Sequence, residues 1–195
     1  MYTPAEDSLM LENHVEKLSK GKVLDMGTGI GIQAIAASKN NAVKEVLAAD
    51  VDSEAIGYCK RNIKNPKIKF IVSDLFSNID KFDMSEIKGK ISEHAQKPQV
   101  FDTIVFNPPY LPEEKDLQID DKALYGGEQG IELIERFFSE VNSHLNENGT
   151  ILMVFSSITG KKKVDAIIKK AGFKFKELEK QHIFFEDLFV YIVKK

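Results

Sequence analysis

From residue 22 onward, short apolar runs alternate with segments in which apolar residues recur every three or four positions. The runs "KVLDMG" (22–27), "EVLAAD" (45–50), "IKFIVSD" (68–74), "FDTIVFN" (101–107) and "GTILMVFS" (149–156) are too short and too continuously apolar for surface helices. They read as buried strands. Between most of them lie helix-period stretches such as "IQAIAASKN", "SEAIGYCKRNIK" and "GIELIERFFSEVNSHL". That alternation of strand and helix predicts a mainly parallel sheet with helices on both faces. After one more helix, "KKKVDAIIKKAG", the runs "FKFKELEKQHIFFED" and "LFVYIVKK" are close enough in sequence to pair as an antiparallel hairpin. The fold expected is α/β: one Rossmann-like, doubly wound, seven-stranded sheet closed by that C-terminal hairpin, with residues 1–195 as a single domain.

Two segments fit the alternation poorly. Residues 77–99 are polar with scattered Phe82, Met84, Ile87 and Ile91, and read as a loop carrying one short helix. Residues 111–129 look irregular and follow a strand end directly, as binding loops and lids do.

Charge and composition narrow the function. A formal net charge of -3 gives no general attraction to phosphate backbones, so nucleic acid is disfavoured as a partner. The lysine run Lys161 to Lys163 is read as a solvated helix face. The one cysteine, Cys59, falls on the apolar side of a helix-period stretch and is expected to be a buried helix residue. His14, His94, His144 and His182 have no metal-ligand spacing, and no metal site is expected. The start is acidic and amphipathic, and no run approaches membrane-spanning length; a cytoplasmic protein is the expectation.

Four strand ends carry the candidate chemistry. "LDMGTGIG" (24–31) leads from a strand through Gly27, Gly29 and Gly31 into a helix, leaving room for a ligand against the backbone and free N–H groups at the helix start. It is not the spacing of a dinucleotide site. Asp50 ends the second strand, where an acid reaches ribose hydroxyls in doubly wound folds, and Asp74 follows the third. Three acids, Asp25, Asp50 and Asp74, are thus expected to emerge at neighbouring carboxyl ends. Asp25, beside the glycine turn, would repel a pyrophosphate but suit a cationic amino-acid tail. "NPPY" (107–110) then ends the fourth strand. Its prolines fix φ and push the preceding residue into an extended conformation, so the Asn107 side chain and neighbouring carbonyls are held in one geometry.

A ligand with ribose, adenine and a cationic amino-acid tail is S-adenosylmethionine. With these motifs the chain resembles the class I S-adenosylmethionine-dependent methyltransferases, and within them the HemK-type protein-glutamine methyltransferases in their short archaeal and eukaryotic form. "YTPAEDS" (2–8), "LYGGEQG" (124–130) and "FFEDLFV" (184–190) are similar to further segments of that family. The resemblance implies that Thr3, Pro4 and Glu6 help close the cofactor pocket. It implies that Asp25, Gly27, Thr28 and Gly29 lie near the methionine part, Asp50 and Val51 at the ribose, and Asp74 with Leu75 at the adenine. Asn107, which the resemblance also counts among the cofactor-binding residues, would then take the substrate with Pro108, Pro109 and Tyr110, and Asn107, Pro108 and Tyr110 would be the catalytic set.

In that arrangement the Asn107 oxygen and a carbonyl near Pro108 accept both hydrogens of a planar NH2 group, while Tyr110 packs on its face. The substrate the resemblance implies is the glutamine of a Gly-Gly-Gln loop in a class-1 release factor. The NPPY unit itself suits any planar NH2 group, so methylation of adenine N6 stays open, as do protein lysine and a non-catalytic cofactor-binding role. Family members of the eukaryotic short form also work with a small zinc-binding activator protein that covers one edge of the sheet. A helix face bearing Ile87 and Ile91 is a candidate cover for that edge. The extra N-terminal helical domain of bacterial members has no counterpart in these residues.

Overall fold

The computed structural model describes residues 6–82, 98–109 and 130–195. The elements follow the order α1 (Glu6–Leu18), β1 (Gly21–Met26), α2 (Ile32–Lys39), β2 (Val43–Asp50), α3 (Ser53–Asn62), β3 (Ile68–Val72), β4 (Phe101–Phe106), α4 (Glu132–Glu140), β5 (Leu145–Ser156), α5 (Lys161–Lys170), β6 (Lys174–Ile183) and β7 (Glu186–Lys194). One seven-stranded sheet runs β3-β2-β1-β4-β5-β7-β6. The β1 to β5 pairings are parallel, and β7 lies antiparallel between β5 and β6.

Period-two side-chain alternation divides the core into two layers. Leu24, Leu47, Ile104, Phe106, Ile151, Met153 and Phe155 face one way and meet Ile134 and Phe137 of α4 and Val164 and Ile168 of α5. Val23, Val46, Ala48, Val105, Leu152 and Val154 face the other and meet Met10, Leu11 and Val15 of α1, Ala34 and Ala37 of α2, and Ile56 and Cys59 of α3. Shifting any central strand by one residue would exchange these faces, so the register is specified strongly.

The expected hairpin forms, with its turn at Phe184–Phe185; Glu186 and Asp187 already belong to β7. Phe184 takes φ 47, and both rings stand in solvent at 86% and 101% exposure. Lys161 is not simply a solvated lysine. Its ammonium lies 3.6 Å from Asp165 and 3.5 Å from Glu177, and over the rings of Phe189 and Tyr191.

Of the 77–99 segment, the described ends are clamped together. A 3-10 turn spans Ile79–Lys81, and the Gln99 amide donates to the carbonyls of Ile79 and Phe82, each at 2.5 Å. Met84, Ile87 and Ile91 lie outside the described residues, as does the 111–129 segment. No helix among the described residues is long and apolar enough to cross a membrane.

Candidate active site

The strand order reverses between β1 and β4: β1 runs on to β2 on one side of the sheet, and β4 to β5 on the other. Parallel neighbours diverge at their carboxyl ends at such a switch point, and the crevice there receives ligands. Gly27 follows β1 and Asn107 follows β4. The two are side by side: a Cβ at Gly27 would stand 3.9 Å from the Asn107 carbonyl oxygen. The glycine turn and the asparagine, 80 residues apart in sequence, thus line one crevice.

The turn is built from backbone. The N–H groups of Gly27 and Thr28 both donate to the Ala49 carbonyl, at 2.8 and 2.9 Å, tying the end of β1 to β2. Gly29 sits at φ 53, and a Cβ there would meet nothing within 4 Å. The left-handed conformation explains the glycine, and the open space beside it is where a ligand can approach the chain. Below the turn, the Cys59 thiol donates to the Gly29 carbonyl at 3.2 Å. Burial, aided by the charges of Asp25 and Asp50, pushes that thiol up to about 11. Cys59 is therefore the packed helix residue expected from its position, not a nucleophile at neutral pH.

The three acids separate. Asp50 is half-buried at the end of β2, and its two oxygens accept from the Gly29 N–H at 2.8 Å and the Asp52 N–H at 2.9 Å. Each carboxylate oxygen has a further lone pair, so the group holds the turn and can still accept from a ligand. Val51 beside it is 69% exposed, an apolar surface next to the Asp50 carboxylate.

Asp74 lies two residues beyond β3, and both its oxygens meet the Arg136 guanidinium of α4 at 3.1 Å. Leu75 takes φ 44, held by the Ser73 hydroxyl donating to its carbonyl at 2.7 Å, and its side chain is buried. What Leu75 offers a ligand is backbone.

Asp25 departs from the expectation that three acids emerge from the sheet. It is only 1% exposed, with Thr28 donating its hydroxyl at 2.6 Å and the Ala34 N–H also bonded to it. The reason is register: Asp25 precedes the last residue of β1, and its pairing with Ala48 and Val105 places it under α2. Asp25 braces the turn from within.

Asn107 is half-buried and its side-chain N–H donates to the Ser8 hydroxyl at 3.1 Å. Pro108 is buried behind it and Pro109 half-buried. Glu6 opens α1 and is exposed. Thr3, Pro4 and Tyr110 lie outside the described residues.

The family model for the methyltransferase small domain matches residues 6–185. A putative protein N5-glutamine methyltransferase of Methanocaldococcus jannaschii is 35% identical over 195 residues, covering 97% of this chain and 89% of that protein. The chain belongs to the HemK-type protein-glutamine methyltransferase family.

The release factor glutamine methyltransferase of Streptococcus pneumoniae is 28% identical over 155 residues, which is 74% of this chain and 48% of that protein. The chain thus spans about half the length of such bacterial relatives. Among solved structures, a chain of the E. cuniculi Mtq2-Trm112 complex, which methylates the eRF1 translation termination factor, superposes with a TM-score of 0.73. It is 25% identical and covers 100% of this chain and 98% of that one.

Several site contacts of this methyltransferase leave no sequence signal. Arg136 lies 62 residues from Asp74 on a helix that periodicity marks only as amphipathic. Ser8 belongs to the quoted "PAEDS" segment, yet nothing in that motif says that its hydroxyl meets Asn107.

Burial of Asp25 also has a pH signature. Desolvation, only partly offset by the bonds from Thr28 and Ala34 and reinforced by the charge of Asp50, raises its carboxyl from 3.8 to about 7. The unfolded chain releases this proton near the lower value and the folded chain holds it to the higher one. Folding stability therefore falls as pH rises between them and levels off above. For Asp25 alone the loss from pH 5 to pH 8 is on the order of a few kcal/mol. Urea unfolding should show that Asp25→Asn removes this part of the pH dependence; an unchanged slope would mean that Asp25 is ionised throughout.

Proposed function

We propose that this methyltransferase transfers the methyl group of S-adenosylmethionine to the side-chain amide nitrogen of the glutamine in a Gly-Gly-Gln loop of a class-1 release factor. The observation that carries the proposal is the placement of Asn107 directly beside the Gly27 turn at the switch point of the sheet. The M. jannaschii relative's protein N5-glutamine methyltransferase name and the eRF1 methylation by the Mtq2-Trm112 complex support the substrate class.

The residues present fit the cofactor. Asp50 has spare acceptor capacity for two vicinal hydroxyls, Val51 offers an exposed apolar surface beside it, and the space at Gly29 is open. Asp74, Leu75 and the backbone around them are assigned to the adenosine side, and the Gly27 to Gly29 turn with Glu6 to the methionine side; Thr3 and Pro4, which the resemblance adds to the cofactor pocket, lie outside the described residues. Bound there, S-adenosylmethionine supplies an electrophilic sulfonium methyl.

The chain's own part is positioning and charge stabilisation. An amide nitrogen is a poor nucleophile because its lone pair is delocalised into the carbonyl. The Asn107 oxygen and a carbonyl near Pro108 accept its two hydrogens, aim the lone pair, and stabilise the positive charge that grows on nitrogen as the new N–C bond forms and the C–S bond breaks. The sulfur keeps the bonding pair, and one nitrogen proton leaves to water. No strong base is needed before transfer. The resemblance assigns the planar face of the amide to Tyr110, which lies outside the described residues.

Mass spectrometry of a release factor after incubation with enzyme and labelled cofactor tests this. One methyl on the Gly-Gly-Gln glutamine is expected. Methyl transfer to a lysine or to an adenine-containing oligonucleotide instead, or cofactor binding with no turnover on any substrate, would overturn it.

The proposal includes a small activator protein. The Mtq2-Trm112 complex pairs its methyltransferase with a second protein, and β3 is an edge strand of this chain's sheet with Val72 exposed on it. An exposed sheet edge is prone to self-association unless it is covered. Co-expression with a Trm112-type protein is expected to raise soluble yield and turnover together; no change in either would remove the activator from the proposal.

A further inference from the structure

A two-residue hairpin loop that passes through positive φ is normally built from glycine, asparagine or aspartate, because other side chains are strained there and water surrounds the tip. The β6–β7 loop is instead Phe184–Phe185, with Phe184 at φ 47. Neither ring packs on the molecule, since Phe184 is 86% and Phe185 101% exposed. The loop thus accepts backbone strain and two solvated aromatic rings that contribute nothing to the fold.

The base of the loop is held firmly. Ile183 pairs with Glu186, the Ser156 hydroxyl meets the Glu186 carboxylate, and the Asp187 N–H donates to the Ser157 hydroxyl at 2.9 Å. The Asp187 carboxylate is matched by Lys180 at 2.9 Å and His182 at 3.0 Å. Beside them the Ile158 N–H donates to the same Ser156 hydroxyl at 3.1 Å, and the Ile158 side chain is 48% exposed on this rim. An apolar tip over paired polar groups is the character of a protein-docking surface.

Register places the tip relative to the crevice. Phe106 pairs with Met153, so Asn107 is level with Val154, which pairs with Val190 of β7. Phe185 precedes Val190 by about five residues, roughly 17 Å of strand rise beyond the carboxyl ends of β4 and β5. Two strand spacings, about 10 Å, separate β4 from β7 sideways. The tip therefore stands on the order of 20 Å from Asn107, too far to touch the reacting amide. A standard interface covers about 800 Å² of each partner, a patch roughly 30 Å across, and one such patch holds both the crevice and the tip.

We infer that Phe184 and Phe185 anchor the protein whose glutamine enters the crevice. The inference rests on the release-factor reading above and adds a surface that holds the substrate outside the reacting centre. The activator is assigned to β3, at the opposite edge of the sheet from β6, and does not compete. A second copy is the weaker occupant. Two aromatic rings bury roughly 300–500 Å², so two copies meeting tip to tip would bury roughly 600–1,000 Å², below the 1,200 Å² or so of a stable interface. The substrate has the crevice rim to supply the rest.

Phe184→Asn combined with Phe185→Ser removes both rings and puts at φ 47 a residue that tolerates it, so the unfolding midpoint should equal or exceed the parent's. In steady-state methylation of a release factor the double variant should raise KM about tenfold or more, with kcat and S-adenosylhomocysteine affinity within about twofold of the parent. Replacing Phe185 with photoreactive benzoylphenylalanine should crosslink the enzyme to the release factor. A KM raised less than about threefold, beside a parent that methylates the release factor, overturns the anchor and leaves the proposed function standing. So do a loss of cofactor affinity that accompanies the KM change, crosslinks joining two copies of this chain, or binding to phosphatidylglycerol vesicles that the double variant loses. A parent that neither methylates nor crosslinks to a release factor overturns the proposed function, and the anchor with it.

Discussion

Asn107→Ala is expected to lower methyl transfer by about 10²–10³, the cost of removing one preorganised group at a developing charge. Cofactor affinity should stay close to the parent's, because the adenosine side of the site is assigned to Asp50, Val51, Asp74 and Leu75. The fold should also survive. Asn107 is half-buried at the mouth of the crevice, and the described contact its side chain loses is the single bond to Ser8. Asn107→Asp is the sharper variant. It keeps an acceptor oxygen in place, and the Ser8 hydroxyl can reverse its role and donate to the carboxylate. Measurable activity is therefore expected, at a rate between those of the parent and Asn107→Ala. Single-turnover methylation of a release factor beside cofactor titration separates chemistry from binding. An Asn107→Ala protein that methylates at the parental rate would reduce the Asn-Pro-Pro unit to a rigid strand end.

The strands and helices were legible because each carries a period. Continuous apolar runs such as "TIVF" cannot face solvent on either side, and "IELIERFF" places Ile134, Phe137 and Phe138 on one helical stripe, which the structure buries. Strand order was legible only in part. Alternation says that the sheet is parallel, but nothing local says that β4 returns to the far side of β1, and that reversal creates the crevice. The site followed the same division. Glycines and prolines mark their backbone conformations in sequence, whereas Arg136 at Asp74 and Ser8 at Asn107 are contacts made by folding.

Asp25 shows why position within a strand matters. An acid in "VLDMG" reads as a ligand-facing group because acids at strand ends usually are. Asp50 is the last residue of β2, Asp74 follows β3, and both reach the surface of the crevice. Asp25 has one more strand residue after it, and α2 covers it. One step along the strand changes a binding group into an internal brace, with the raised protonation that goes with it.

Asp50→Ala is expected to weaken S-adenosylhomocysteine binding by at least about 100-fold, since two charge-assisted bonds to the ribose hydroxyls contribute roughly 1.5–3 kcal/mol each. Part of the loss has a second origin. The same carboxylate holds the N–H groups of Gly29 and Asp52, so alanine also loosens the glycine turn, to which the proposal assigns the rest of the cofactor. Asp50→Asn distinguishes the two. An amide keeps one oxygen, which can serve either Gly29 or a ribose hydroxyl but presents a donor where the second oxygen was. If the ribose bonds dominate, Asp50→Asn should bind almost as poorly as Asp50→Ala while unfolding at nearly the parental midpoint. If the turn dominates, Asp50→Asn should recover most of the affinity. Calorimetric titration with thermal unfolding reads both quantities on the same samples. An Asp50→Ala affinity within a factor of about two of the parent would place the ribose acceptor elsewhere, with Asp52 the next carboxylate along the chain; its Oδ1 already caps α3 by accepting from the Glu54 N–H at 2.8 Å.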